Sequence, residues 1–170
     1  MPMHAKECTS SFFPSVQVPM SELLVVVDSL KDWGPYYPTE NVITFEDYLA
    51  RQEENKKART RVINLCRNYK YLSKGYYCSL LAEARDHHVL PSVRVINDLN
   101  QRSLYTLHLD DLDEIDAKTI TRGNENDTIR FRSYFGNTAN PAFKSLAKEL
   151  FEKFPCPILE VELAYHRRWE

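Results

Sequence analysis

The chain is poor in glycine, and this scarcity argues against the common phosphate-binding loops. Its 170 residues include four glycines, Gly34, Gly75, Gly123 and Gly136. Their spacing allows neither a G-x-G-x-x-G fingerprint nor a P-loop, whose glycines let the backbone approach a pyrophosphate. A lysine-bearing clamp and an ordered set of magnesium ligands are equally hard to recognise. We therefore expect no ATP hydrolysis from this chain alone.

Long apolar runs and regular cysteine spacing are also missing. No run approaches the roughly 18 apolar residues of a membrane span, so we expect no membrane association. Residues 1–20 lack the basic start and apolar core of a signal peptide, and we interpret them as a flexible leader to a domain over residues 21–170. The four cysteines form no C-x-x-C pair and are too sparse for a secreted disulfide framework. These absences favour a cytoplasmic environment.

The overall composition is that of an ordinary globular domain. Apolar residues make up 43% and charged residues 27%, and the net charge of −2 gives no general attraction to nucleic acid. The segment from Asp110 to Asp116 is acidic, which predicts either a solvated face or a docking surface for a partner domain. Basic and aromatic residues alternate in Thr128–Phe135, as they do in single-strand binders. Because the net charge and the acidic run oppose this reading, we expect no nucleic-acid partner.

The first half of the chain has the pattern of a parallel α/β unit. Glu22–Val27 is a continuous apolar run, typical of a strand buried on both faces. A short strand at Val42–Thr44 leads into a helix that Thr44 caps with Asp47. The elements expected next are a strand at Arg61–Cys66, a helix from about Lys74 to His87, and a third strand at Val89–Val93. Pro91 predicts that this last strand is short or lies at an edge.

The second half has a different pattern. Helices are expected between Ile96 and Ile120, and Thr128–Phe135 alternates as a half-exposed strand. A helix with Pro141 in its first turn precedes a final alternating strand at Ile158–Tyr165. The sequence therefore predicts a three-layer α/β fold of Rossmann-like type, with a mainly parallel sheet and a more antiparallel C-terminal part.

The loop after the second long strand is the best candidate for a binding site. Between Arg61 and Leu80 there are four basic residues and no acidic one. Strand ends and helix starts converge at this point in open α/β sheets, and unpaired backbone N–H groups face the crevice. We therefore predict an anionic ligand there. The predicted substrate-binding residues are Asp28, Ser29, Lys31, Arg67, Tyr69, Lys70, Lys74, Gly75 and Arg94.

Structural roles compete with these assignments. Arg67 and Lys74 would be neutralised if they paired with Asp28, Asp32 or the acidic run. Ser73 is expected to cap the following helix. The other structural assignment places Tyr77 in the core, on one helix face with Leu80, Leu81 and Ala84. The histidines are scattered or adjacent, so we predict no metal site, and no residue is assigned a catalytic role.

Three segments carry a family resemblance: LLVVVDSLKDWGPYYP (Leu23–Pro38), VITFEDYL (Val42–Leu49) and the stretch from Arg61 to Leu99. Together they resemble the RimK-like ATP-grasp N-terminal domain. That domain usually precedes an ATP-grasp ligase module, which joins a carboxylate to an amine through an acyl-phosphate. The resemblance implies a pre-ATP-grasp fold and a place on the substrate side of such a ligase. It also implies that the ligase module is absent from this chain and would follow Glu170.

The function implied by the resemblance is peptide synthesis or modification, with the anionic group of a small molecule or peptide as the ligand. ATP and magnesium would be needed only by the ATP-grasp module, acting in cis or in trans. The alternative is a non-enzymatic module that recognises a partner or peptide and positions or stabilises the ligase. A homo-oligomer is compatible with either function.

Overall fold

The computed structural model describes residues 21–36, 39–51, 60–101 and 128–164. The predicted leader, the acidic run Asp110–Asp116 and the helix expected to end near Ile120 lie outside these residues. Among the described residues, no helix has both the length and the apolar character needed to cross a membrane.

A four-stranded parallel sheet organises the first half of the chain. Its strands are β1 (Glu22–Val27), β2 (Val42–Thr44), β3 (Thr60–Asn64) and β4 (His88–Leu90), in the order β2-β1-β3-β4. Every neighbouring pair is parallel, so the predicted parallel sheet is confirmed. β4 is both short and at an edge, as Pro91 indicated.

The strand order creates a topological switch point between β1 and β3. The chain leaves β1 towards β2 on one side, whereas it leaves β3 towards β4 on the other side. This is the order of flavodoxin-like doubly wound sheets, which place ligands outside the carboxyl ends of the strands at the switch point. The carboxyl ends of β1 and β3 are therefore where a ligand is expected in this sheet.

Helix α1 (Phe45–Ala50) is fixed at both ends by side chains. The predicted capping box is confirmed, because the Thr44 hydroxyl accepts from the Asp47 amide and the Asp47 carboxylate accepts from the Thr44 amide. At the other end, the Arg85 guanidinium donates to three carbonyls of this region, those of Tyr48, Leu49 and Arg51. These bonds satisfy carbonyls that a short helix would otherwise leave unpaired.

Helix α2 (Lys74–Ala84) packs on the sheet through a different face from the predicted one. Its buried residues are Gly75, Cys78, Ser79 and Ala82. The prediction that Tyr77 and Leu80 face the core was wrong, because each residue is 41% exposed. Small side chains let the helix lie close to β3, and the larger apolar residues are displaced outward.

A buried asparagine joins this helix to the sheet. The Asn64 side chain, at the end of β3, donates to the Gly75 carbonyl (2.7 Å) and to the Ser79 hydroxyl (2.9 Å), and its oxygen accepts from the Cys66 amide (3.1 Å). The Ser79 hydroxyl in turn donates to the Pro91 carbonyl after β4 (2.7 Å). The network therefore connects β3, α2 and the end of β4.

The second half of the chain has its own apolar core. It contains α3 (Val93–Asn100), β5 (Thr128–Tyr134), a short 3-10 helix (Pro141–Phe143), α4 (Lys144–Lys153) and β6 (Ile158–Ala164). β5 and β6 form the expected antiparallel pair. Phe131, Phe143 and Leu150 form this core between the β5–β6 sheet and α4. Val95 of α3 packs into the same core, so α3 links the two halves.

We expect Ser79→Ala to lower the free energy of unfolding by about 1–3 kcal/mol, because the Pro91 carbonyl and one Asn64 N–H would lose a buried partner. Ser145→Ala on the exposed surface of α4 is the matched control and should change stability by less than about 0.5 kcal/mol. Urea unfolding of both variants tests this, and equal stability changes would contradict it.

Candidate functional site

The residues that follow β1 and β3 meet at the carboxyl edge of the sheet. β1 and β3 are adjacent and parallel, which brings Asp28 next to the start of the basic loop. The Arg67 backbone N–H donates to the Asp28 carboxylate at 2.6 Å. The predicted proximity of Asp28 and Arg67 is therefore confirmed, and the contact does not depend on the Arg67 side chain.

Gly75 lies against the same loop. Its N–H donates to the Asn68 carbonyl (3.2 Å), and the Ser73 hydroxyl donates to that same oxygen (2.7 Å). A Cβ on Gly75 would clash with the Asn68 carbonyl oxygen and lie 3.0 Å from the Tyr69 ring. Glycine thus allows the helix start to approach the loop. Ser73 also accepts from the Tyr76 amide, as expected of a helix cap.

The two main cations of the loop are already paired. The Arg67 guanidinium contacts both carboxylate oxygens of Asp32, with Nε 3.0 Å from Oδ2, and Lys74 pairs with Glu46. The hydrogen bond from Arg67 lowers the pKa of Asp32 and raises that of Arg67 itself. The hydrogen bond from Lys74 likewise lowers the pKa of Glu46. The competing structural pairing is therefore present for Arg67, with Asp32. Lys74 is also paired, but with Glu46, which was not among the expected partners.

The other predicted residues have diverse surroundings. The Tyr69 hydroxyl donates to the Asn64 carbonyl (2.6 Å), and burial raises its pKa. The Ser29 hydroxyl accepts from the Lys31 amide and caps a 3-10 helix. Arg94 lies in the first turn of α3, exposed and 3.8 Å from the Asp98 carboxylate on the same helix.

Lys31 and Lys70 complete the predicted set, with exposed side chains. Within the described part of the chain, neither lysine forms an ion pair. Both lie on the loops that follow β1 and β3, so their charges remain available at this edge.

A cleft of about 350 Å³ lies where the basic loop faces the two-stranded β5–β6 sheet. Its lining residues are Leu65, Cys66, Arg67, Tyr69, Arg132, Ile158 and Glu160. The sequence-based site included Arg67 and Tyr69 but missed the three residues from β5 and β6. Strand alternation indicated that Arg132 faces outward, but it carried no information about which loop the β5–β6 sheet approaches.

Two thiols near this region, those of Cys78 and Cys156, are unsuited to nucleophilic chemistry. A hydrogen bond with Cys66, together with burial, raises the pKa of Cys78, and burial raises that of Cys156. Thiols of this kind remain protonated at neutral pH and are poor nucleophiles. Among the described residues, no group of three or more His, Cys, Asp or Glu side chains could hold a metal ion.

Most of the chain matches the model of a known family. The model of the family described as RimK-like ATPgrasp N-terminal domain matches residues 45–170. The chain belongs to this family. The match includes the basic loop, α2 and the β5–β6 sheet, whereas β1 and β2 precede it. No curated protein and no solved structure matches the chain at a significant level.

We expect Arg67→Gln to raise the pKa of Asp32 towards its ordinary value, because the variant loses the charged hydrogen-bond donor. In the wild type, the pKa of Asp32 is lower in the folded than in the unfolded chain, so ionised Asp32 stabilises the fold at pH values above its ordinary pKa. This stabilisation is lost as the pH falls through the lowered pKa of the folded chain. Carboxyl NMR titration measures the shift directly.

The control for this titration is Arg51→Gln, which removes an arginine that pairs with Glu22 at the opposite edge of the sheet. It should leave the pKa of Asp32 unchanged. An Asp32 pKa that is the same in wild type and in Arg67→Gln would show that the ion pair is absent in solution.

Proposed function

We propose that this chain is the substrate-side domain of a RimK-like ATP-dependent carboxylate–amine ligase and that it binds an anionic group of the substrate beside the switch point. The observation that supports this most directly is the position of Arg67, which follows β3 and contacts Asp28 after β1. Ligands of doubly wound sheets bind at such a point. The family supports the ligase context, and the site supports the sign of the ligand's charge.

The ion pair between Arg67 and Asp32 does not exclude a ligand. A guanidinium has five N–H donors, and Asp32 engages two of its nitrogens. The Arg67 side chain is 67% exposed, so the remaining donors are accessible to a carboxylate or phosphate. Lys31 and Lys70 add positive charge on the neighbouring loops. An incoming anion would share Arg67 with Asp32 or displace it.

In this proposal the ATP-grasp module, in cis or in trans, supplies the ATP and magnesium chemistry in the cytoplasm. The substrate is a small molecule or peptide, and the product is an amide bond in peptide synthesis or modification. The second candidate is a recognition module that positions the ligase without contacting its substrate. The pairing of Arg67 and Lys74 with internal carboxylates favours this alternative.

Two substitutions should change anion affinity in opposite directions. Arg67→Ala removes a charge-assisted hydrogen bond of about 1.5–3 kcal/mol and should weaken binding by about one to two orders of magnitude. Asp32→Asn removes the competing carboxylate and should strengthen binding. Calorimetric titration with acetate and with inorganic phosphate measures both effects.

The matched control is Arg51→Ala, which removes an exposed, carboxylate-paired arginine at the opposite edge. It should leave the affinity unchanged. Equal affinities for wild type, Arg67→Ala and Asp32→Asn, or no binding by any of them, would favour the recognition module and assign the loop a structural role.

We also propose that the chain alone does not hydrolyse ATP. The expected phosphate release from the purified chain with ATP and magnesium is at background level. Sustained release that is lost in Arg67→Ala or Lys74→Ala would contradict this, because contaminating activity would not depend on these residues.

A further inference from the structure

The two-stranded β5–β6 sheet has one apolar face and one charged face. Phe131 and Leu163 are buried in the core, while Arg130 and Arg132 point the other way. Each arginine lies opposite a glutamate, with Arg130 paired to Glu162 and Arg132 paired to Glu160 in the strand register. The charged face thus carries two equivalent cross-strand pairs, of which only the Arg132–Glu160 pair lines the cleft.

These two pairs differ in how closely their partners approach. The Arg130 Nε atom is 2.9 Å from the Glu162 carboxylate and donates a hydrogen bond to it. The closest approach between Arg132 and Glu160 is 3.8 Å, which is too long for a hydrogen bond. The side chains of Arg132 and Glu160 are 62% and 61% exposed. Arg132 and Glu160 therefore do not hydrogen-bond to each other, and their polar groups are accessible to a ligand.

The cleft combines these charges with apolar walls. Leu65 and Ile158 supply hydrocarbon surface, and Arg67, whose exposed guanidinium is paired with Asp32, is a second positively charged lining residue. A volume of about 350 Å³ is at the lower end of the range of roughly 300–1,000 Å³ for small-molecule sites. The cleft is therefore suited to a small ligand that carries both signs of charge.

We propose that this cleft binds a free α-amino acid, with its carboxylate on Arg132 and Arg67, its ammonium group on Glu160, and its side chain against Leu65 and Ile158. A dianion would be repelled by Glu160, and a simple amine would be repelled by the two arginines. Only a zwitterion satisfies both, and two opposite charges held together give orientation as well as affinity. The inference deepens the proposed function and rests on its substrate-side role, because it names the substrate class.

The direct test is calorimetric titration of the whole chain with the standard L-amino acids, followed by the N-acetyl and the C-terminal amide derivatives of the tightest binder. Acetylation removes the ammonium group, and amidation removes the carboxylate. Each derivative should bind about tenfold more weakly or worse than the free amino acid, because one charge-assisted contact is lost.

Charge-removing variants assign each contact to a residue. Arg132→Gln should weaken binding of the free amino acid about tenfold but leave the amide derivative unaffected. Glu160→Gln should weaken binding of the free amino acid to a similar degree and leave binding of the N-acetyl derivative unaffected. The matched controls are Arg130→Gln and Glu162→Gln, the neighbouring pair on the same face, which should bind like the wild type.

Three results would overturn the inference: no standard amino acid binds, the derivatives bind as well as the free amino acid, or the control pair matters as much as Arg132 and Glu160. Such a result leaves the proposed function standing if acetate or phosphate binding still responds to Arg67→Ala and Asp32→Asn. Conversely, amino-acid binding that depends on Arg132 and Glu160 would support a binding site in the cleft, even if Asp32→Asn leaves the affinity for acetate and phosphate unchanged.

Discussion

The buried side chain of Asn64 is the constraint on which the carboxyl edge of the sheet depends. All its hydrogen-bonding groups are directed at chain segments that must stay in place: the Cys66 amide, the Gly75 carbonyl and the Ser79 hydroxyl. Its backbone carbonyl also accepts from the Tyr69 hydroxyl. Because buried polar groups are costly when unpaired, these bonds allow one arrangement of loop and helix. The geometry around Arg67 is a result of that arrangement.

Arg67 connects two regions that the fold brings together from distant parts of the chain. Its backbone and guanidinium contact Asp28 and Asp32 at the sheet edge, and the same residue lines the cleft beside β5 and β6. A ligand in this cleft would therefore compete with Asp32 for the guanidinium.

Local chemistry in the sequence was enough to predict much of the fold. The apolar run of β1, the Thr44–Asp47 capping box and the alternation of β5 each act within a few residues, and each was confirmed. The meeting of Asp28 and Arg67 also followed, since parallel neighbours end at one edge. The sequence left open whether Asp28, Asp32 or the acidic run pairs with Arg67, and it did not indicate that β5 and β6 form one side of the cleft. Both depend on contacts between residues far apart in sequence, which composition and periodicity do not encode.

The packing of α2 has a consequence for how substitutions at its positions should be ranked. The helix is held against the sheet by glycine, serine, alanine and cysteine, while Tyr77 and Leu80 are partly exposed. Adding a single methyl group at Gly75 meets backbone, whereas Leu80 is partly exposed and has room for a change of shape towards solvent. Along this helix, the large apolar residues are therefore expected to tolerate substitution better than the small ones. Polar replacements at Tyr77 and Leu80 should cost little stability, whereas larger side chains at Gly75 or Ala82 should destabilise the fold.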